Sequence, residues 1–177
     1  LGTHRLICHP DTPSLAVLGI NVTLVEDDND RLLLRWRVDG GSALSLPAYS
    51  GSGRAEELWT TTCFEMFVQG DDRAYVEYNF SPSQRWAAYR FPTYRDGRSD
   101  EGLSDPPVID HQQGDRFFVM TVKLPRPVDE NLRIGLSAVI EEEGGVKSYW
   151  ALAHPDGEPD FHDPACFIAA LPAPVRS

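Results

Sequence analysis

The chain has 177 residues, of which 41% are hydrophobic and 24% charged, with a formal net charge of -11. That is enough apolar material for a core that needs no disulfide or metal staple, and too much for a disordered chain. So acidic a surface repels phosphate backbones and anionic headgroups, which argues against nucleic acid and membrane as partners.

The opening segment, LGTHRLICHPDTPS, lacks the apolar core of a signal peptide. No apolar run approaches the ~20 residues of a membrane helix. The three cysteines, Cys8, Cys63 and Cys166, are odd in number and form no CxxC, so neither a disulfide framework nor a zinc knuckle is expected. Reduced thiols in the cytoplasm are the expectation, although a start generated by signal cleavage is compatible with the same residues. Residues 17–26 (VLGINVTLVE) read as a strand and DDND at 27–30 as a turn. In 31–38 (RLLLRWRV), Leu32, Leu34 and Trp36 share one face of a strand, with Leu33, Arg35 and Arg37 on the other. Residues 39–57 are a long Gly- and Ser-rich connection, with a short helix expected over 52–58. Three strands follow in 58–91 and a polar loop in 93–106. PVIDHQQ, RFFVMTVKL and LRIGLSAVIEE read as strands, with turns at 114–115 and 126–131. Gly144 and Gly145 turn the chain into VKSYWALAH, and the loop PDGEPDFHDP leads to a last strand, ACFIAAL. Helical periodicity is nowhere sustained. The spacing predicts one all-β domain over 1–177, a two-sheet antiparallel β-sandwich of roughly nine to eleven strands, immunoglobulin- or jelly-roll-like.

The segment LWTTTCFEMFVQGDDRAYVEYNFSPSQRWAAYRF (58–91) places carboxylates among aromatics. Pairing Gln69 with Arg73 sets Glu65 opposite Glu77 and Phe67 opposite Tyr75. Pairing Phe80 with Arg85 sets Asn79 opposite Trp86, Glu77 opposite Ala88 and Tyr75 opposite Arg90. One face then carries Glu65, Tyr75, Glu77, Asn79, Trp86 and Arg90, and the other a plain core set that includes Met66, Tyr89 and Phe91. Like charges directly opposite each other destabilise a sheet. The expectation is therefore a half-buried polar pocket roofed by Trp86 and Tyr75, with Arg90 neutralising one acid. Aromatic planes beside carboxylates, an amide and a guanidinium suit a sugar ring. Two paired glutamates at about 5 Å are also the constellation of a retaining glycosidase, so Glu65 and Glu77 carry that alternative.

A second dense segment, SYWALAHPDGEPDFHDP (148–164), offers Trp150, His154 and His162. The histidine spacing matches no standard zinc motif, so both are expected at the rim of the pocket rather than on a metal.

WTTTCFEMFV, YVEYNFSPSQRWAAYRF and YWALAHPDGEPDFHDP together resemble the DOMON-like family of bacterial ligand-binding domains, over about residues 15–171. That family is related to family 9 carbohydrate-binding modules and to the haem domain of cellobiose dehydrogenase. The resemblance implies a non-catalytic module for a small molecule, a saccharide or a haem. In sugar-binding relatives two tryptophans clamp the ligand, a part open here to Trp86 with Trp150 or Trp59. Haem-binding relatives use Met and His, but Met66 and Met120 fall on core-like strands, so no cofactor is expected and haem is the disfavoured alternative.

Overall fold

Alternation of apolar and polar residues carries most of the chain into strands, and a computed structural model describes residues 1–27, 29, 31–127 and 131–173. The turns expected at 27–30 and 126–131 include positions 28, 30 and 128–130, which lie outside the described residues. Thirteen strands form among the described residues. The first half of the chain supplies β1 (Gly2–Cys8), β2 (Gly19–Glu26), β3 (Arg31–Asp39), β4 (Gly53–Arg54), β5 (Cys63–Gln69), β6 (Tyr75–Phe80) and β7 (Arg85–Phe91). The second half supplies β8 (Ser99–Asp100), β9 (Val108–Gln113), β10 (Phe117–Pro125), β11 (Leu132–Glu141), β12 (Lys147–Ala151) and β13 (Ala169–Leu171). The helix expected over 52–58 is instead the short β4 followed by a 3-10 turn at Leu58–Thr60.

The strands run in the order β4-β7-β6-β5-β11-β12-β1-β2-β3-β10-β9, with β13 added to β11 and β8 to β7. This is one curled sheet, not the two separate sheets expected. The joint is β1, which pairs with β2 through Gly2–Leu6 and with β12 through Ile7 and Cys8, so the ladder passes unbroken from one half to the other. The sheet is also mixed, because β4 runs parallel to β7.

The sheet folds over a shared core. On β3, Leu32, Leu34, Trp36 and Val38 are buried while Arg35 and Arg37 are exposed. Trp36 meets Phe64 at 5.7 Å and Phe80 at 6.0 Å between ring centroids, and Phe64 stacks on Phe118 at 5.7 Å, so β3 and β10 of one half close on β5 and β6 of the other. Past the end of β3 the chain comes so close to β10 that a Cβ on Gly41 would lie 2.6 Å from the Phe118 backbone nitrogen.

Strands β5 and β6 are buried at every position, so both of their faces are covered. The shared core covers Phe64, Met66, Tyr78 and Phe80. A second apolar cluster covers the opposite face, where Phe67, Tyr75, Tyr89 and Phe91 pack under Phe161, Cys166 and Phe167 from the late loop.

The register of this meander departs from expectation twice. Across β5 and β6, Glu65 faces Asn79, Phe67 faces Glu77 and Gln69 faces Tyr75, a two-residue shift that keeps each side chain on its face but separates the two glutamates. Across β6 and β7, Tyr75 faces Phe91, Glu77 faces Tyr89 and Asn79 faces Ala87. That one-residue shift turns β7 over. Its cause is a three-residue loop: the Ser81 N–H donates to the Arg85 carbonyl at 2.9 Å, and Gln84 takes a left-handed conformation with φ 70. Trp86, Ala88 and Arg90 therefore leave the carboxylate face, and Ala87, Tyr89 and Phe91 join it.

Candidate ligand-binding pocket

The carboxylate face is roofed by two segments. The 3-10 turn at Leu58–Thr60 brings Trp59 over the edge of the Tyr89 ring, at 6.2 Å between centroids. The loop after β12 brings Phe161 and His162 down over Phe67, Tyr75 and Phe91, with the His162 ring 5.2, 5.7 and 5.1 Å from theirs. Between the two segments lies a pocket of about 320 Å³. Glu65, Glu77 and Val139 lie at its floor, Trp59, Phe91, Tyr149 and Phe161 form its walls, and Arg95, Arg98, Pro159 and His162 its rim.

The floor is polar yet almost shut off from solvent, with Glu65 3% and Glu77 5% exposed and Asn79 fully buried. Ser137 Oγ donates to Glu65 Oε2 at 3.2 Å, and Asn79 Nδ2 donates to Glu77 Oε1 at 3.0 Å. Burial pushes the Glu65 carboxyl well above the usual range, and the charge of Glu77 adds to the push. Burial also raises Glu77, to about 7, against the Asn79 hydrogen bond and the positive charge of Arg95 and Arg98. His162 Nε2 lies 3.6 Å from Glu77 Oε2, and its Nδ1 shares a 2.7 Å hydrogen bond with the Tyr75 hydroxyl. Burial, with Arg95 nearby, lowers the imidazole to about 4, so His162 is neutral near pH 7.

The rim is tied by ion pairs. Arg95 Nη2 donates to Asp160 Oδ1 at 2.7 Å, the Tyr94 hydroxyl donates to the other Asp160 oxygen, and the Asp160 carboxylate also accepts from the His162 backbone. Arg98 lies 3.8 Å from Glu56 and over the Tyr89 ring, and the Tyr89 hydroxyl donates to Glu56 at 2.9 Å.

Of the residues singled out in the sequence, the fold brings Trp59, Glu65, Glu77 and His162 to the pocket, with Tyr75 and Asn79 directly behind them. Four lie elsewhere. Trp86 packs in the shared core with Arg54 over its ring, because the short β6–β7 loop turns β7 over. Arg90 faces the same way and pairs with Glu101 at 2.7 Å, so it does not neutralise the glutamates. Trp150 points into the shared core, where its Nε1 donates to Ser148 Oγ at 2.9 Å, while its neighbour Tyr149 takes the pocket side by strand alternation. His154 stands apart, bonded to the Ile7 carbonyl at 2.7 Å in a groove with His9. Sequence reasoning missed Tyr89 and Phe91 through the loop count. It missed Arg95 and Arg98 because RFPTYRDGR reads as a polar loop, although its arginines interleave with aromatics. Among the described residues no three His, Cys, Asp or Glu side chains group as metal ligands.

No protein-family model matches the chain, and comparison with curated proteins also gives no match. Solved structures do share its fold. A protein from Bacteroides uniformis ATCC 8492, provisionally described as carbohydrate-binding, superposes with a TM-score of 0.67 at 14% identity, covering 95% of this chain and 84% of that one. A family 9 carbohydrate-binding module from Caldicellulosiruptor kristjanssonii, in complex with cellotriose, superposes with a TM-score of 0.53 at 10% identity, covering 94% of this chain and 80% of that one. Its complex with glucose gives the same TM-score and identity, with 81% of that chain covered. The curled all-β fold is thus that of family 9 modules.

Proposed function

We propose that the chain is a non-catalytic carbohydrate-binding module whose pocket takes one sugar ring. The observation that carries this reading is the pairing of aromatic walls, Trp59 and Tyr149, with a floor of buried hydrogen-bonding groups in a pocket of about 320 Å³. Aromatic planes stack on the C–H faces of a pyranose, and the carboxyls and the rim guanidiniums take its hydroxyls. Fold-sharing with modules that hold cellotriose and glucose supports it. The DOMON-like motifs of the sequence are compatible with the same reading. A haem fits poorly, because Met66 and Met120 are both fully buried in the shared core and neither can reach the pocket.

Calorimetric titration with a panel of mono- and oligosaccharides tests the proposal, with Trp59→Ala as the control. At least one sugar is expected to bind, and the variant is expected to lose roughly tenfold or more in affinity. Turnover of an aryl glycoside that is lost in Glu65→Gln or Glu77→Gln would instead establish an enzyme.

A further inference from the structure

The acceptors at the pocket floor exceed the donors that reach them. Among the described residues, Glu65 accepts a side-chain hydrogen bond from Ser137 and Glu77 one from Asn79. The Asn79 Oδ1 is buried without a hydrogen-bond partner. Asn79 is the cross-strand neighbour of Glu65 and sits two residues from Glu77 on the same face of β6, so the orphaned oxygen lies in the layer directly behind the glutamates of the floor. A buried acceptor with no donor destabilises the fold unless a ligand supplies one.

The nearby cations do not fill this deficit. Arg95 is held on Asp160 and Arg98 leans on Glu56, so both act on the glutamates only from a distance. Lys147 donates to the Thr60 carbonyl at 2.5 Å. His162, beside Glu77, is neutral near pH 7. Around the pocket four carboxylates, Glu56, Glu65, Glu77 and Asp160, meet two guanidiniums, Arg95 and Arg98.

We infer that the pocket, if it holds a saccharide as proposed above, is built for an amino sugar, whose ammonium group is bound by the Glu65 and Glu77 carboxyls in front of Asn79. A primary ammonium carries three donors and no acceptor, which complements a floor whose polar atoms are carboxyl oxygens. Its charge favours the ionised form of the two buried carboxyls, which burial otherwise holds protonated, and a neutral hydroxyl, with one donor, does not. The walls fit the same ligand, since aromatic faces attract a cation as well as stacking on a sugar ring. A metal ion is the poorer match, because the floor offers only two charged ligands.

Calorimetry of the whole chain at about pH 7 with D-glucosamine, N-acetyl-D-glucosamine and D-glucose decides the matter. Glucosamine is expected to bind roughly tenfold or more tightly than either of the others, because acetylation removes the charge and glucose never had it. In Glu77→Gln that ratio is expected to fall below about threefold. The ratio compares two ligands on one protein, so loss of folded material does not mimic it. If the variant does not fold, the ligand series on the parent chain decides alone. Glucose binding as tightly as glucosamine would overturn the inference and leave the carbohydrate reading standing. Tetramethylammonium or calcium chloride competing as well as glucosamine would also overturn it. If no saccharide binds, with or without an amine, the carbohydrate reading falls as well.

Discussion

Glu77 and His162 pull the stability of the domain in opposite directions with pH. Burial raises Glu77 to about 7 from an ordinary value of 4.5, so the folded state holds its proton more tightly than the unfolded chain. Its contribution is fully present below about 4.5 and is lost as pH rises through about 7. Burial lowers His162 to about 4 from 6.5, so its contribution is present above 6.5 and is lost as pH falls toward 4. Between 4.5 and 6.5 the slopes of these two groups oppose each other, and above 6.5 that of His162 is spent while Glu77, with the likewise raised Glu65, continues to lose its contribution. Glu77→Gln keeps the shape and removes the titration. Its stability relative to the parent is expected to improve by about 2–3 kcal/mol as pH rises from about 4.5 to 8, measured by urea denaturation at a series of pH values. A gap that stays constant over that range would show that Glu77 is not held protonated. These acids were legible in the sequence because strand alternation fixes parity without any knowledge of neighbours: Glu65, Tyr75, Glu77 and Asn79 occupy the face expected of them.

At the scale of the element, parity passes from strand to strand only through the loop between them, and there the sequence is weakest. The β5–β6 hairpin closes two residues wider than expected, an even shift that leaves its faces unchanged. The β6–β7 hairpin closes one residue tighter, and that odd shift exchanges Trp86 and Arg90 for Tyr89 and Phe91. SPSQ contains no glycine to mark the left-handed position, so nothing in it points to Gln84. A left-handed non-glycine residue costs about 1–2 kcal/mol, and glycine returns part of that through the freedom of the unfolded chain. Gln84→Gly is therefore expected to stabilise the domain by roughly 0.5–1 kcal/mol, read as a small rise in melting temperature with unchanged ligand affinity. A lower melting temperature would mean that the Gln84 side chain, which reaches Ser52 Oγ at 3.5 Å, holds the loop more firmly than its backbone strains it.

For the whole molecule, the all-β class was legible from short alternating runs, but the joining of its halves was not. The strand that joins them, β1, buries only Leu6 fully, so its alternation is too faint to mark it as a strand. The late loop likewise showed its histidines and acids but not where it would lie, since packing Phe161 and Phe167 over the meander depends on contacts far apart in sequence. Continuity of the sheet has a consequence for unfolding. Both halves place side chains in one core, where Phe64 of β5 touches Trp36 of β3 and Phe118 of β10. Two sheets with separate cores would lose stability independently, whereas a shared core loses it everywhere at once. Phe64→Ala is expected to cost about 3–5 kcal/mol, the usual penalty for removing a buried aromatic ring. The transition seen by tryptophan fluorescence, from Trp36, Trp86 and Trp150 in the shared core, is expected to coincide with that seen by far-ultraviolet circular dichroism. If the fluorescence transition moves to lower denaturant while the circular dichroism transition stays, the halves unfold separately, and the ladder through β1 does not couple them.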